Sequence, residues 1–105
     1  MSLTEYVRDD EGYLIEPEDW APEFARAVAA EEGIELGSEH WDAIEFMRSY
    51  QERQLITPDV RHVTRHLSQK NGTGRNRIFE LFPYGYVEQA CKIAGMKRPR
   101  AWSTG

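Results

Sequence analysis

The chain contains one cysteine, Cys91, and basic residues lie close to it in the sequence. Lys92 is its neighbour, and Lys97, Arg98 and Arg100 follow within ten residues. The thiolate form of cysteine is a soft nucleophile, and nearby cations lower the pKa of a thiol. The pattern therefore predicts a reactive Cys91, with the four cations attracting an anionic donor or a partner protein. The alternative interpretation is a small apolar core residue, which a lone cysteine often is.

The elements that follow Cys91 determine how it is presented. Gly95 is typical of the residue that ends a helix, and Pro99 prevents an easy continuation. We therefore expect residues 96–105 to form a mobile C-terminal arm, because chain termini without a packing partner are rarely held. Trp102 in this arm would anchor it in a cleft of a partner protein, or would fold back onto the domain.

The length and composition indicate one globular domain covering residues 1–105. Of the 105 residues, 40% are hydrophobic and 11% are aromatic, which suits one modest core. A single cysteine forms no internal disulfide, so a reducing cytoplasm is the expected location. The sequence has neither a secretory signal pattern nor an apolar run near the roughly 20 residues that span a bilayer. We expect a cytoplasmic monomer without membrane contacts.

The charge distribution divides the chain into two halves. The formal net charge is −5, with residues 1–52 carrying −12 and residues 53–105 carrying +7. This division predicts that the C-terminal half contacts an anionic partner, or that the two halves attract each other. Two oppositely charged, solvated faces would explain the division equally well.

Apolar periodicity and helix-boundary residues predict a mainly α-helical fold. Residues 4–15 centre on an acidic turn with Gly12 and favour an N-terminal β-hairpin. Helices are then expected from Pro22 to Gly33, from Ser38 to Arg53, over 58–68, over 75–82 and over the segment around Cys91. The expected architecture is a small orthogonal bundle of about five helices with an N-terminal β-hairpin and a flexible C-terminal arm.

A second functional hypothesis depends on the helices over 58–68 and 75–82. With the loop between them, they resemble a loose helix-turn-helix whose basic side chains would contact phosphates or bases of DNA. The side chains concerned are those of Arg61, Arg65, Lys70, Arg75 and Arg77. The connecting loop is longer than the usual turn, and the acidic first half of the chain would repel DNA.

The histidines form no complete metal-binding or catalytic motif. His62 and His66 have the spacing at which two imidazoles bind zinc, but arginines flank them and no third ligand is evident. His40 has no metal-ligand partner at a suitable spacing, so we expect a structural or surface role for it. No cofactor-binding loop stands out, and neither a metal nor a cofactor is expected.

Three segments of the sequence carry a resemblance to a known family. They are Leu81–Gly85, Gln89–Gly95 and Lys97–Pro99. In this order the segments resemble the DsrC/TusE family of sulfur-relay proteins, in which DsrC is also called the gamma subunit of dissimilatory sulfite reductase. Further family-like positions extend the resemblance over nearly the whole chain: Asp10–Leu14, Trp20, Glu32–Leu36, His40, Trp41 and Pro58–Arg61.

The resemblance implies a small helical sulfur-metabolism protein whose partner is a siroheme sulfite reductase or a sulfurtransferase. DsrC-like proteins have two cysteines in this C-terminal region, and TusE keeps only the second. Cys91 matches the first position, whereas Trp102 stands eleven residues later at the second. Sulfur bound at Cys91 would therefore leave by attack of another thiol. A regulatory role without sulfur transfer is the alternative.

Overall fold

A computed structural model describes residues 5–74 and 76–97, and the described part of the chain is mainly helical. It contains a short 3₁₀-helix, five α-helices and a π-helical turn that leads directly into the last of them. In chain order these elements are the 3₁₀-helix Pro17–Asp19, α1 Pro22–Glu31, α2 Ser38–Gln54, α3 Val60–Asn71, α4 Arg77–Leu81, the π-turn Tyr86–Ala90 and α5 Cys91–Ile93. The prediction of a mainly α-helical fold with five helices is confirmed.

Local capping groups explain where the long helices begin. The Asp59 carboxylate accepts a hydrogen bond of 2.8 Å from the Arg61 N–H, so it caps the first turn of α3. Helix α2 begins at Ser38, and Gly37 in front of it donates its N–H to His40 Nδ1 at 3.0 Å. The imidazole of His40 therefore binds back to the residue that precedes the helix.

His40 also connects α2 to the end of α4. Its Nε2 lies 2.9 Å from the Leu81 carbonyl oxygen, while its Nδ1 accepts the Gly37 N–H. One ring nitrogen faces a donor and the other faces an acceptor, so the neutral imidazole with its proton on Nε2 satisfies both contacts. The structural role predicted for His40 is confirmed.

The core is formed by the inner faces of the helices and by buried side chains of the segment from Tyr86 to Met96. α2 packs against α3, and α5 packs against α1. Fully buried side chains come from each of these helices and from the π-turn: Phe24, Val28, Ile44, Met47, Leu67, Tyr86, Cys91 and Ile93. The segment that carries the only cysteine is therefore the centre of the fold rather than an appendage of it.

The predicted N-terminal β-hairpin is not formed. Among the described residues there is no β-strand, and one antiparallel bridge joins Arg8 to Leu14. Tyr13 and Leu14 are both buried, although successive residues of a regular strand point to opposite faces. The Asp9 carboxylate accepts the Tyr13 N–H at 2.9 Å, which tightens the turn locally. Two backbone hydrogen bonds flank the bridge, from the Asp9 N–H to the Tyr13 carbonyl and from the Ile15 N–H to the Val7 carbonyl, so the segment is a turn with one bridge and not a pair of strands.

Within residues 5–74 and 76–97, no helix has both the length and the apolar character that a membrane span requires.

Candidate functional site

Cys91 is the first residue of α5 and is fully buried. Burial raises the pKa of its thiol from the ordinary value of 9.0 to about 12, and interaction with the nearby Tyr86 hydroxyl opposes this increase only in part. That hydroxyl donates to the Pro58 carbonyl at 2.5 Å, so Tyr86 is itself held in place. Desolvation of the sulfur is the largest cause of this shift, and no described cation lowers the pKa of the thiol, so the reactivity of Cys91 stays a prediction.

Of the cations near Cys91 in the sequence, the structure describes Lys92 and Lys97, and neither contributes to the pKa of the Cys91 thiol. Lys92 Nζ lies 3.8 Å from Glu32 Oε2 and 5.4 Å from the centroid of the Tyr13 ring. Consecutive residues of a helix point in different directions, so the neighbour of a buried thiol need not face it. Lys97 is exposed, and its carbonyl accepts the Thr57 hydroxyl at 2.9 Å. Three further residues of the predicted partner-contacting set lie outside the described residues: Arg98, Arg100 and Trp102.

Two side chains, Trp20 and Arg48, hold the end of α5, and we call this pair the C-terminal clamp. Trp20 Nε1 donates to the Ile93 carbonyl at 3.0 Å, and Arg48 Nη1 donates to the Ala94 carbonyl at 2.8 Å. The Arg48 guanidinium also lies 4.4 Å from the centroid of the Trp20 ring. The last carbonyls of a helix lack partners within it, so the clamp satisfies groups that would otherwise need water.

The second guanidinium nitrogen of Arg48 connects the clamp to the N-terminal segment. Nη2 donates to the Pro17 carbonyl at 2.9 Å, just before Trp20 in the chain. Burial of the half-buried guanidinium lowers its pKa, and attraction to Glu52 and Glu18 opposes that effect. The sequence analysis did not identify Arg48. The available signal was an arginine beside the core residue Met47, in a helix with more acidic than basic side chains.

Gly95 allows Trp20 to approach the backbone closely. Its φ is +74°, and a Cβ added there would lie 2.4 Å from Trp20 Cδ1. The next residue, Met96, is fully buried and donates its N–H to the Cys91 carbonyl at 2.9 Å. The sequence analysis placed Met96 and Lys97 in the mobile arm, but both are anchored to the domain, and residues 98–105 of that arm lie outside the described residues.

A buried polar side chain, Gln89, fixes the π-turn and also escaped the sequence analysis. Its Oε1 accepts the Tyr84 N–H at 3.0 Å, and its Nε2 donates to Glu32 Oε1 at 3.3 Å. Glu32 therefore contacts both Gln89 and Lys92. A buried amide costs free energy unless its hydrogen bonds are made, so these bonds are needed when Gln89 is buried. They hold the π-turn that leads into α5 and places Cys91 in the core.

The basic residues of the suggested helix-turn-helix mostly pair with carboxylates. Lys70 Nζ lies 2.8 Å from Asp42 Oδ1, Arg61 Nη2 lies 3.0 Å from Asp59 Oδ2, and Arg77 binds Glu39 and Glu80. Hydrogen bonds from these cations lower the pKa of Asp42, Asp59 and Glu39. Arg65 has no such partner among the described residues, and Arg75 lies outside them. Attraction between the two charged halves is therefore realised within the molecule, and a DNA-binding face is not favoured.

The two histidines of α3 pack on aromatic rings of α2. The His66 ring lies 4.5 Å from the Phe46 ring in a stacked arrangement, and the His62 ring lies 5.2 Å from the Tyr50 ring. In the part of the chain that the structure describes, no group of three or more His, Cys, Asp or Glu side chains is arranged to hold a metal ion.

Comparison with solved structures identifies the class of protein to which this fold belongs. The oxidised gamma-subunit of the dissimilatory sulfite reductase (DsrC) from Archaeoglobus fulgidus matches with a TM-score of 0.83 and 32% identity, over 91% of this chain and 90% of that chain. DsrC from Allochromatium vinosum matches with a TM-score of 0.80 and 39% identity, over 91% and 88% of the two chains. The fold is therefore that of DsrC.

Sequence comparison establishes the family. The model of the family described as DsrC like protein matches residues 1–101. The sulfurtransferase TusE of Salmonella typhimurium is 40% identical over 98 residues, covering 90% of each chain, and the TusE homolog of Haemophilus influenzae is 36% identical over 98 residues, with the same coverage. The chain belongs to the DsrC family. The resemblance stated from the sequence is confirmed, and so is the prediction of a sulfur-metabolism protein.

Proposed function

We propose that this chain is a sulfur-relay protein that acts through contacts with other proteins and binds sulfur on Cys91 when the C-terminal segment opens. The observation that carries the proposal is the burial of the one thiol in the 105-residue sequence. A thiol shielded in this way is unreactive towards most of the cell, and a partner that opens the segment would select when it reacts.

The proposed reaction is transfer of a sulfane sulfur. The Cys91 thiolate attacks the outer sulfur of a partner's persulfide, a new S–S bond forms, and the partner's cysteine leaves as a thiolate. With a folded-state pKa of about 12, only about one Cys91 in 10⁵ is a thiolate at pH 7. The pKa of an exposed cysteine lies near 8.5, so on opening about 3% of the thiol has released its proton to solvent at pH 7. Opening therefore supplies access and raises the thiolate fraction by a factor of about 10³.

The relatives indicate the proposed partners. TusE of Salmonella typhimurium is named a sulfurtransferase, and DsrC of Archaeoglobus fulgidus is named the gamma-subunit of a dissimilatory sulfite reductase. We therefore propose a persulfide-bearing sulfurtransferase or a siroheme sulfite reductase, in the cytoplasm, as the protein that this chain contacts. Lys97, Arg98 and Arg100 would attract that partner, and Trp102 would serve as an apolar anchor.

The test is intact-protein mass spectrometry after the reduced chain meets polysulfide, first in native buffer and then in urea below the unfolding transition. We expect addition of one or more sulfur atoms that is slow in native buffer and faster in urea, and absent in Cys91→Ser. A two-cysteine DsrC treated in parallel is the positive control. If the positive control gains sulfur while this chain gains none under either condition, sulfur binding on Cys91 is excluded.

A further inference from the structure

We propose that a groove between α3 and α4 binds an acidic segment of a partner protein that inserts a large apolar side chain. This inference concerns a surface that does not include Cys91. It goes beyond the sulfur chemistry proposed above and does not depend on it.

The groove has an apolar floor and a cationic rim. Its volume is about 420 Å³, within the range of pockets that hold a ligand-sized group. Phe79 on α4 is 41% exposed there, although large aromatic side chains are usually buried more completely. The groove is lined by Val60, Arg61, Thr64, Arg65, Asn76 and Phe79.

The charge of the rim is incompletely neutralised. Arg61 and Arg65 are one helical turn apart, so their guanidinium groups lie on the same face of α3. Arg61 pairs with Asp59, whereas Arg65 is exposed and has no carboxylate partner among the described residues. The other lysine and arginine residues described on α3 and α4, Lys70 and Arg77, pair with carboxylates. Arg65 is therefore the cation here that remains available to an anionic ligand.

This combination fits an acidic peptide better than a nucleic acid. Affinity for nucleic acid grows with the number of phosphates that cations neutralise, and one uncompensated arginine supplies few such contacts. Protein interfaces instead concentrate their binding energy in a few aromatic and arginine residues around a pocket. Phe79 and Arg65 provide that pair, with Val60 extending the apolar floor. A carboxylate would bind Arg65 while a neighbouring aromatic or aliphatic side chain packs on Phe79.

The test uses a random ten-residue peptide library displayed on phage, selected against the full chain. Selected peptides are then labelled, and their affinity is measured by fluorescence anisotropy for wild type, Arg65→Glu, Phe79→Ser and Arg26→Glu. Arg26→Glu is the matched charge control, because Arg26 is an exposed arginine on α1 and does not line the groove. Thermal melting by circular dichroism verifies that each variant is folded.

We expect selected peptides that combine acidic residues with a large apolar one. Their affinity should fall about tenfold or more in Arg65→Glu and in Phe79→Ser, and stay unchanged within about twofold in Arg26→Glu. Peptides that lack acidic residues, or that bind Arg65→Glu as well as wild type, would overturn the proposal. A duplex DNA that binds the groove with a steep salt dependence, where no selected peptide does, would overturn it as well.

Discussion

The segment around Cys91 and the face formed by α3 and α4 are both rich in lysine and arginine in the sequence. They differ in what their polar side chains bind, which is backbone carbonyls in the first region and carboxylates at the surface in the second. In the first region, Arg48 and Trp20 bind backbone carbonyls at the end of α5, and the thiol is buried. In the second, the cations stay at the surface, where carboxylates pair with them, except at Arg65. Cations nearby in the sequence therefore do not by themselves activate a thiol.

The difference follows from which electrostatic effect is larger. An exposed cation acts on another group through water, which screens the interaction. Removing a thiolate from water acts on the sulfur directly, and it raises the pKa of Cys91 to about 12. A partner that moves α5 outwards would expose the sulfur to water. The pKa of the thiol would then fall, and the fraction of thiolate would rise.

The largest expected effect is a loss of stability at high pH that depends on Cys91. The thiol has a raised pKa in the folded state, so the unfolded chain releases its proton first and folding becomes less favourable as pH rises. Between pH 9 and about 12, the free energy of unfolding of wild type should fall relative to Cys91→Ala by about 1.4 kcal/mol per pH unit, about 4 kcal/mol in all. Urea unfolding of both proteins from pH 7 to 11 measures this difference.

Below the pKa that Cys91 has in the unfolded chain, its thiol is protonated in both the folded and the unfolded state. The difference in free energy of unfolding between wild type and Cys91→Ala should therefore be constant from pH 7 to 8. A difference that remains constant up to pH 11 would show that the Cys91 pKa is not raised in the folded chain.

The second effect compares two glycines with similar backbone angles. Gly95 has a φ of +74° and a Cβ there would meet Trp20 at 2.4 Å, whereas Gly72 has a φ of +68° and nothing within 4 Å. Gly72→Ala should lower the free energy of unfolding by about 1 kcal/mol, because of the left-handed backbone alone. Gly95→Ala should lower it by about 3 kcal/mol, because the new Cβ also overpacks against Trp20. Equal losses in urea unfolding would show that Trp20 does not pack on Gly95.

The third effect compares two arginines by the same substitution. Arg48→Met removes two hydrogen bonds from a charged donor to the Ala94 and Pro17 carbonyls, and should cost about 2 kcal/mol. Arg65→Met removes an exposed side chain without a described partner and should change the free energy of unfolding by less than about 0.5 kcal/mol. If both substitutions changed the free energy of unfolding by the same small amount, the C-terminal clamp would not stabilise the fold.

The sequence predicted those features of the fold that have local causes. Pro22 and Gly33 bracket α1 closely, and the helix expected over 58–68 is formed as α3, beginning two residues later at Val60. The hairpin prediction was wrong, because packing of Tyr13 and Leu14 into the core is decided by the helices that they meet. Strand pairing is a weak local preference, and tertiary contacts override it.

The candidate site was predicted only as far as the residue type and the family resemblance allow. Cys91 could be singled out as the one thiol, but its burial depends on the π-turn and on Gln89, which no local pattern specifies. Arg48 reaches a carbonyl 46 residues away in the sequence, so its role appears only when the chain is folded. Attraction between the oppositely charged halves was one of the interpretations that the sequence left open, and the ion pair between Asp42 and Lys70 realises it.

The rate at which iodoacetamide alkylates Cys91 tests the central claim most directly. The claim requires that the Cys91 thiol is buried and protonated in the native fold. At pH 8 the folded chain should react at least about 10³-fold more slowly than the urea-unfolded chain, since its thiolate is scarcer by that factor before access is considered. Arg48→Met should accelerate the reaction and Arg65→Met should not. Alkylation of the native chain at the rate of the unfolded chain would contradict the account.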